Sequence, residues 1–169
     1  MKKCIAVLTV YFSIFVEGVH ADCVDPVELE FFNTISGTLE IKLSKEPVSG
    51  KNLSGNKFAE SDAKIISMEL KPEIYMPEME FFRTVTPEEM QKVAYNDKSV
   101  ELVSESGISV KHDAPNGKYF TVKSLLDAVE ETERQTRGKT EWFGGIDVHH
   151  IYFEGIHCEE GQRLIFWGS

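Results

Sequence analysis

Three of the chain's five histidines lie in one stretch near its C-terminus, GGIDVHHIYFEGIHCEEG, which runs from Gly144 to Gly161. Asp147 comes shortly before His149 and His150, and His157 follows seven residues after the pair. Imidazole and carboxylate groups bind transition metals and are also common partners in acid–base chemistry. This stretch is therefore the first candidate for a chemical site.

The pattern of the stretch predicts a β-strand, in which side chains alternate between two faces. Asp147 and His149 then share one face, and His150 lies on the other, so the two adjacent histidines cannot bind the same ion. His157 has the parity of His149. If the protein holds a divalent transition metal, we expect Asp147, His149 and His157 to be its ligands, and Glu141 or Glu159 could also join from loops.

Two other interpretations of the same stretch stay open. Histidines that alternate with Ile, Val, Tyr and Phe are typical of half-buried strand residues that hydrogen-bond to their neighbours. His149 or His150 could instead form an acid–base dyad with Asp147, Glu141 or Glu154. The sequence has no H-E-x-x-H motif, no cysteine cluster and no glycine-bracketed nucleophile. It therefore indicates no specific enzyme class.

The segment TEWFGGID, which begins at Thr140, suggests a binding surface instead. Trp142 and Phe143 precede two glycines, which allow backbone angles that are closed to other residues. Tryptophan is enriched among the residues that dominate protein interfaces. We expect Glu141, Trp142 and Phe143 to contact a partner. The alternative is that both rings cap the core beneath the end of a helix.

The N-terminus predicts a cleaved signal peptide over residues 1–21. Two lysines precede an apolar run from Cys4 to Val16, and small residues precede the expected cleavage after Ala21. The run is shorter than the roughly 20 residues that span a membrane, so we expect no stable membrane insertion after cleavage. Residues 22–169 are expected to form a single domain that is secreted or periplasmic.

The charge of the chain disfavours several classes of partner. The full sequence has 18 basic and 28 acidic residues, and removal of Lys2, Lys3 and Glu17 with the signal leaves 16 and 27. Such an acidic surface repels nucleic acid and anionic lipid. It favours encounter with a basic protein, although acidity also serves solubility alone.

Two cysteines, Cys23 and Cys158, remain after cleavage of the signal. An even pair in an oxidising compartment predicts a disulfide. It would join the start of the domain to its last hairpin. A glycosylation sequon at Asn52 lies in a long polar loop from Ser44 to Asp62, and it has meaning only in a eukaryote.

Strand patterns predict most of the first half of the domain. VELEFF and TLEIKL alternate apolar and polar residues around Ser36-Gly37, which predicts a hairpin, and AKIISMEL predicts a further strand. The following segment, with Pro72, Met76, Pro77 and Met79, is expected to be irregular. Its methionines suit either a gap in the core or a partner surface.

Helices and further hairpins follow. Thr86, Pro87 and Glu89 form a capping box at the start of a short helix, and SVELVSE and ISVKHD predict a hairpin. A long helix is expected over TVKSLLDAVEETERQTRG, with Val122, Leu125, Leu126 and Val129 facing the core and a polar second half in solvent. The last hairpin is expected to begin at Ile146.

These elements predict an α+β domain with a mostly antiparallel sheet of consecutive hairpins, one long helix and one short helix. The features favour a small exported binding protein without a cofactor over an enzyme. Its concrete form is an inhibitor or immunity-type protein that docks on a basic partner. The competing hypothesis is a metal-binding protein or metal-dependent hydrolase that uses Asp147 and His149. A structural component of the secreted or envelope fraction is a third hypothesis.

Overall fold

The computed structural model describes residues 23–44, 63–139 and 145–169. The expected signal peptide, the loop that carries Asn52, and Glu141, Trp142 and Phe143 lie outside the described residues. Within them, the predicted α+β class with a mostly antiparallel sheet is confirmed.

The chain forms three α-helices and nine strands within the described residues. In chain order they are α1 (Glu28–Phe32), β1 (Ile35–Leu43), β2 (Ile65–Met76), β3 (Phe81–Thr84), α2 (Pro87–Met90), β4 (Val93–Tyr95), β5 (Ser99–Val103), β6 (Ser109–Asp113), β7 (Phe120–Thr121), α3 (Val122–Thr136), β8 (Tyr152–Glu159) and β9 (Gln162–Gly168). A 3₁₀ turn, Arg137–Lys139, extends α3.

Seven of the strands form one sheet in the order β3-β2-β1-β8-β9-β5-β6, and β4 pairs with β7 separately. Consecutive strands pair as antiparallel hairpins, as predicted. Two pairings join strands that are not consecutive. Strand β1 pairs with β8 antiparallel, with Thr38 opposite Tyr152, and β5 pairs with β9 parallel, with Val103 opposite Leu164. The hairpins are therefore joined into one sheet by pairing between strands that are distant in sequence.

The core lies between one face of the sheet and α3. Val122, Leu125, Leu126 and Val129 are each no more than 6% exposed, which confirms the predicted core face of the helix. The largest side chains that they meet are Phe32, Phe120 and Phe153. Along the middle of β2, buried residues alternate with exposed residues that face away from the core. The opposite face of the sheet therefore stays in contact with solvent in this region.

The predicted first hairpin is wrong, because VELEFF forms helix α1. Leu29 and Phe32, three residues apart, are both buried, and a helix brings such residues to one face. The side chain of Asn33, which follows α1, pairs with the backbone of β8 as a neighbouring strand would. Its side-chain amide donates to the carbonyl of Ile156, and its side-chain oxygen accepts from the N–H of the same residue.

The segment after Leu70 is expected to be irregular, but its first part continues as a regular strand. Strand β2 continues through Pro72 to Met76, and Pro72 lies opposite Gly37. The pairing of β2 with β3 ends one residue away, at Glu73. A proline is tolerated where a strand lacks a neighbour on one side. A Cβ on Gly37 would lie 2.4 Å from the carbonyl oxygen of Lys71, so the close approach of β1 and β2 requires glycine there.

The predicted capping box is confirmed at the start of α2. Thr86 accepts from the N–H of Glu89, and the carboxylate of Glu89 accepts from the N–H of Thr86. The helical pattern of this segment predicts an end near Ala94 or Tyr95. Helix α2 instead ends at Met90, because Val93–Tyr95 pair with β7 as strand β4. Long-range pairing therefore overrides the local helical pattern.

The second half of α3 was expected in solvent, and this prediction is wrong. Glu133, Thr136 and Arg137 are each 2% exposed or less. The i,i+4 spacing of Glu130 and Arg134 predicts an ion pair, and this pair does lie at the surface, with a 2.5 Å contact. The helix thus has one polar edge in water and a second polar edge inside the protein.

The predicted disulfide between Cys23 and Cys158 is confirmed, with 5.8 Å between the two Cα atoms. It joins the segment before α1 to strand β8. A cross-link removes conformational entropy from the unfolded chain, and the effect grows with the length of the closed loop.

Replacing both cysteines by serine is therefore expected to lower the free energy of unfolding by about 2–5 kcal/mol. The enclosed segment spans 135 residues, which places the effect at the larger end. Urea unfolding under oxidising conditions measures the change, and the native protein in reductant is the matched control. An unchanged midpoint would show that other contacts hold these two segments together.

The ion pair of Arg83 with Glu89 predicts a specific response to acid. The Arg83 hydrogen bonds and the Thr86 backbone N–H lower the pKa of Glu89 to about 2. A lowered folded-state pKa contributes stability above the ordinary value near 4.5, and this contribution is lost as the pH falls toward 2.

We expect Glu89→Gln to lower the Tm by a few degrees at pH 7 and to lose this effect progressively between pH 5 and pH 2. Thermal unfolding across this range measures it. Glu88→Gln is the control, because Glu88 is exposed on the same helix. A Glu89 effect that persists at pH 2 would mean that the charge of the carboxylate contributes nothing.

Candidate functional site

At the end of α3, two side chains one helical turn apart form a buried ion pair. Arg137 Nε donates to Glu133 Oε2 at 2.7 Å, and both side chains are about 2–3% exposed. Trp167 on β9 donates its indole N–H to the other oxygen of Glu133 at 3.0 Å. The guanidinium carbon of Arg137 lies 4.9 Å from the centroid of that indole. Helix and sheet are therefore joined by polar contacts inside the protein.

Arg137 also holds the segment that enters β8. Its Nη1 donates to the carbonyl oxygens of Asp147 at 3.2 Å and His150 at 2.7 Å, and it lies 3.7 Å from Asp147 Oδ2. We call Glu133, Arg137 and Asp147 the Arg137 cluster. It holds the backbone at Asp147 and His150 against the helix end.

Asp147 gives this segment a turn in place of the predicted strand. Its Oδ1 accepts the backbone N–H groups of His149 and His150 at 2.8 and 3.3 Å. A short side chain that satisfies the backbone in this way competes with strand pairing. Strand β8 consequently begins at Tyr152, so the prediction that Asp147 and His149 share a strand face is wrong.

The structure brings His150, and not His149, to Asp147. His150 Nδ1 lies 3.1 Å from Asp147 Oδ2 and 3.6 Å from Oε1 of Glu105, which follows β5. One ligand atom from each of Glu105, Asp147 and His150 lies within 4.8 Å of the other two. Among the described residues, this triad is the one group with the composition and spacing of a metal site.

The two remaining candidate ligands lie elsewhere. The ring of His149 stands edge-on to that of His150, with 5.0 Å between the centroids. His157 is on β8, where its Nδ1 is 3.6 Å from a carboxylate oxygen of Asp25 and its ring packs against Phe166. The three predicted ligands are therefore not assembled around one point.

Burial raises the pKa of two carboxyl groups at this site. For Glu105, removal from water is the largest cause, Asp147 adds to it, and His150 opposes it. For Glu133, burial is again the largest cause, and Arg137 and Trp167 oppose it. Removal from water therefore disfavours the charged form of both carboxyl groups, and Arg137 opposes this effect at each of them.

A small cavity and an open groove adjoin the triad. The cavity, of about 10 Å³, is lined by Glu105 and Asp147 as well as by the helix end. A groove of about 330 Å³ runs beside β9 and is also lined by Glu105. The cavity is about the size of one water molecule, and the groove connects Glu105 to solvent.

A second surface lies at the far edge of the sheet, on the β2–β3 hairpin. Tyr75, Met79, Phe81 and Phe82 are 46%, 57%, 44% and 53% exposed. The rings of Tyr75 and Phe82 are 5.1 Å apart, and no strand of the described residues pairs with the outer side of β3. We call these four residues the hairpin patch.

Comparison of the chain with known protein families, curated proteins and solved structures found no match. Over the described residues, no helix combines the length and the apolar character needed to cross a membrane. The function is therefore inferred from the chemistry of the Glu105–Asp147–His150 triad and of the hairpin patch.

Sequence reasoning missed Glu105 and the role of Arg137. The i,i+4 spacing of Glu133 and Arg137 did indicate a pair, but spacing alone does not show whether a pair is buried. Glu105 is brought to Asp147 by the contact between β5 and β9, which leaves no local signal. The hairpin patch does have a local signal, because Met79 belongs to the methionine-containing segment that suits a partner surface.

The buried pair predicts a large difference between two arginines of the same helix. Arg137→Met is expected to lower the free energy of unfolding by about 3–5 kcal/mol, because it leaves Glu133 and Asp147 buried without their cation. The control, Arg134→Met, removes an exposed i,i+4 pair and should cost less than about 1 kcal/mol. Urea unfolding measures both, and equal losses would contradict the assignment of the cluster.

Proposed function

We propose that the protein is an exported binding protein that docks on a basic protein partner through the hairpin patch. The carrying observation is the exposure of four large apolar side chains on one hairpin: Tyr75 and Phe82 pair on one face, Phe81 lies on the other face, and Met79 lies in the turn between the strands. Scattered exposed apolar residues are ordinary, but a contiguous group of aromatic and methionine side chains is typical of an interaction site. Aromatic residues also dominate the energetics of known interfaces.

Charge favours a basic partner over other occupants. Glu73, Glu78 and Glu80 are exposed around the hairpin patch, and none of them has an ion-pair partner among the described residues. The formal charge of the whole chain is −10. A second copy of the chain would bring like charges together, and nucleic acid or anionic lipid would be repelled.

The backbone of the hairpin supports docking in a second way. Among the described strands, β3 is an edge strand of the sheet, and it carries Phe81 and Phe82. Its outer backbone groups can pair with an extended segment of a partner, while side chains on either side supply specificity. The disulfide supports export, because such cross-links persist in oxidising compartments.

The proposal predicts which substitutions abolish capture of a partner. The purified oxidised protein, immobilised at low salt, is expected to retain a basic protein from the secreted or periplasmic fraction of its source. Phe82→Ala and Glu78→Lys should each release that protein, and Phe82→Ala should cost about 2 kcal/mol of binding energy when the purified pair is measured directly.

Two matched substitutions control for general surface effects. Val24→Ser removes an exposed apolar side chain, and Glu30→Lys reverses an exposed charge, both away from the hairpin. Both should bind as the native protein does, and added salt should weaken every complex. Failure to retain any protein at low salt, or retention that ignores the hairpin substitutions, would overturn the proposal.

A further inference from the structure

The Glu105–Asp147–His150 triad has the geometry of a small metal site. Zinc bonds of about 2.0–2.1 Å with tetrahedral angles separate neighbouring ligand atoms by about 3.3 Å. His150 Nδ1 lies 3.1 Å from Asp147 Oδ2 and 3.6 Å from Glu105 Oε1, close to this value on either side. All three ligand atoms lie within 4.8 Å of each other, so an ion can reach them with a small shift of Glu105.

Two of the three ligands are already fixed in position. Asp147 is 2% exposed, and two backbone N–H groups bind its Oδ1, which leaves Oδ2 directed at His150. The His150 carbonyl is held by Arg137. Ligands that are oriented by outer hydrogen bonds need little rearrangement to bind a metal.

The charge balance favours a cation despite the nearby arginine. Arg137 is paired most closely with Glu133, at 2.7 Å, against 3.7 Å to Asp147 Oδ2. Because the charges of Arg137 and Glu133 cancel, Glu105 and Asp147 remain as two carboxylates beside the imidazole of His150. Glu105 is also the accessible member, because its side chain is 36% exposed and lines the groove beside β9.

We propose that Glu105, Asp147 and His150 bind one Zn²⁺ ion, with water as the fourth ligand. An imidazole nitrogen with two carboxylates suits Zn²⁺ better than Mg²⁺ or Ca²⁺, which take mainly oxygen ligands. A 10 Å³ cavity, about the size of one water molecule, adjoins both carboxylates on the side of Arg137. This site goes beyond the proposed docking function and uses none of the residues of the hairpin patch.

The test is calorimetric titration of the tag-free, chelator-treated protein with ZnCl₂, repeated with MgCl₂. We expect one equivalent of Zn²⁺ to bind, with no comparable binding of Mg²⁺. Glu105→Gln and His150→Gln should each weaken Zn²⁺ binding at least about tenfold. Zn²⁺ should also raise the Tm of the native protein, and at the same free concentration it should raise the Tm of these variants less.

Matched controls separate this site from other carboxylates and histidines. Glu101→Gln changes an exposed glutamate on the neighbouring strand, His149→Gln changes the adjacent imidazole, and His157→Gln changes the third histidine of the same stretch. All three should bind Zn²⁺ as the native protein does. Far-UV circular dichroism confirms that each variant is folded, and Glu105→Gln decides the outcome if His150→Gln is not.

Three results would overturn the proposal. The first is the absence of saturable Zn²⁺ binding by the native protein. The second is native affinity in Glu105→Gln, which would assign the ion to other surface carboxylates. The third is loss of binding in His149→Gln with native binding in His150→Gln, which would make Asp147 and His149 the ligands.

Discussion

The burial of one arginine side chain determines how this small domain is assembled. Taking a guanidinium group out of water costs several kcal/mol, so Arg137 requires compensation from every side. Glu133 supplies the charge, two backbone carbonyls accept hydrogen bonds, and the Trp167 ring lies beside it. These partners come from α3, from the segment before β8 and from β9. The position of each of the three elements therefore depends on the same cation.

The candidate metal site depends directly on this arrangement. Asp147 occupies its place because its carboxylate caps the turn at His149 and His150 while Arg137 holds the carbonyls of the same turn. Glu105 approaches from the loop after β5, where β5 and β9 meet. The hairpin patch lies on β2 and β3, at the β3 edge of the sheet. The proposed docking and metal sites are thus separate, and each can be tested without the other.

Local sequence signals predicted much of the fold, and tertiary contacts account for what they missed. The capping box at Thr86, the core stripe of α3, the β8–β9 hairpin and the disulfide all follow from short-range patterns or from a count of cysteines. The segment VELEFF fits alternation and helical spacing equally well, and only the burial of Leu29 with Phe32 decides for the helix. The strand parity of Asp147 and His149 failed because a side-chain cap replaced the backbone ladder.

The indole N–H of Trp167 reports most directly on whether the Arg137 cluster orders the structure. It donates to a carboxylate oxygen of Glu133 that is buried with its arginine. Hydrogen exchange followed by NMR should show this proton exchanging only through unfolding of the whole domain, with an opening free energy equal to that of global unfolding. Exchange through a much smaller local opening, while the helical amides of α3 stay protected, would contradict the central role of this cluster.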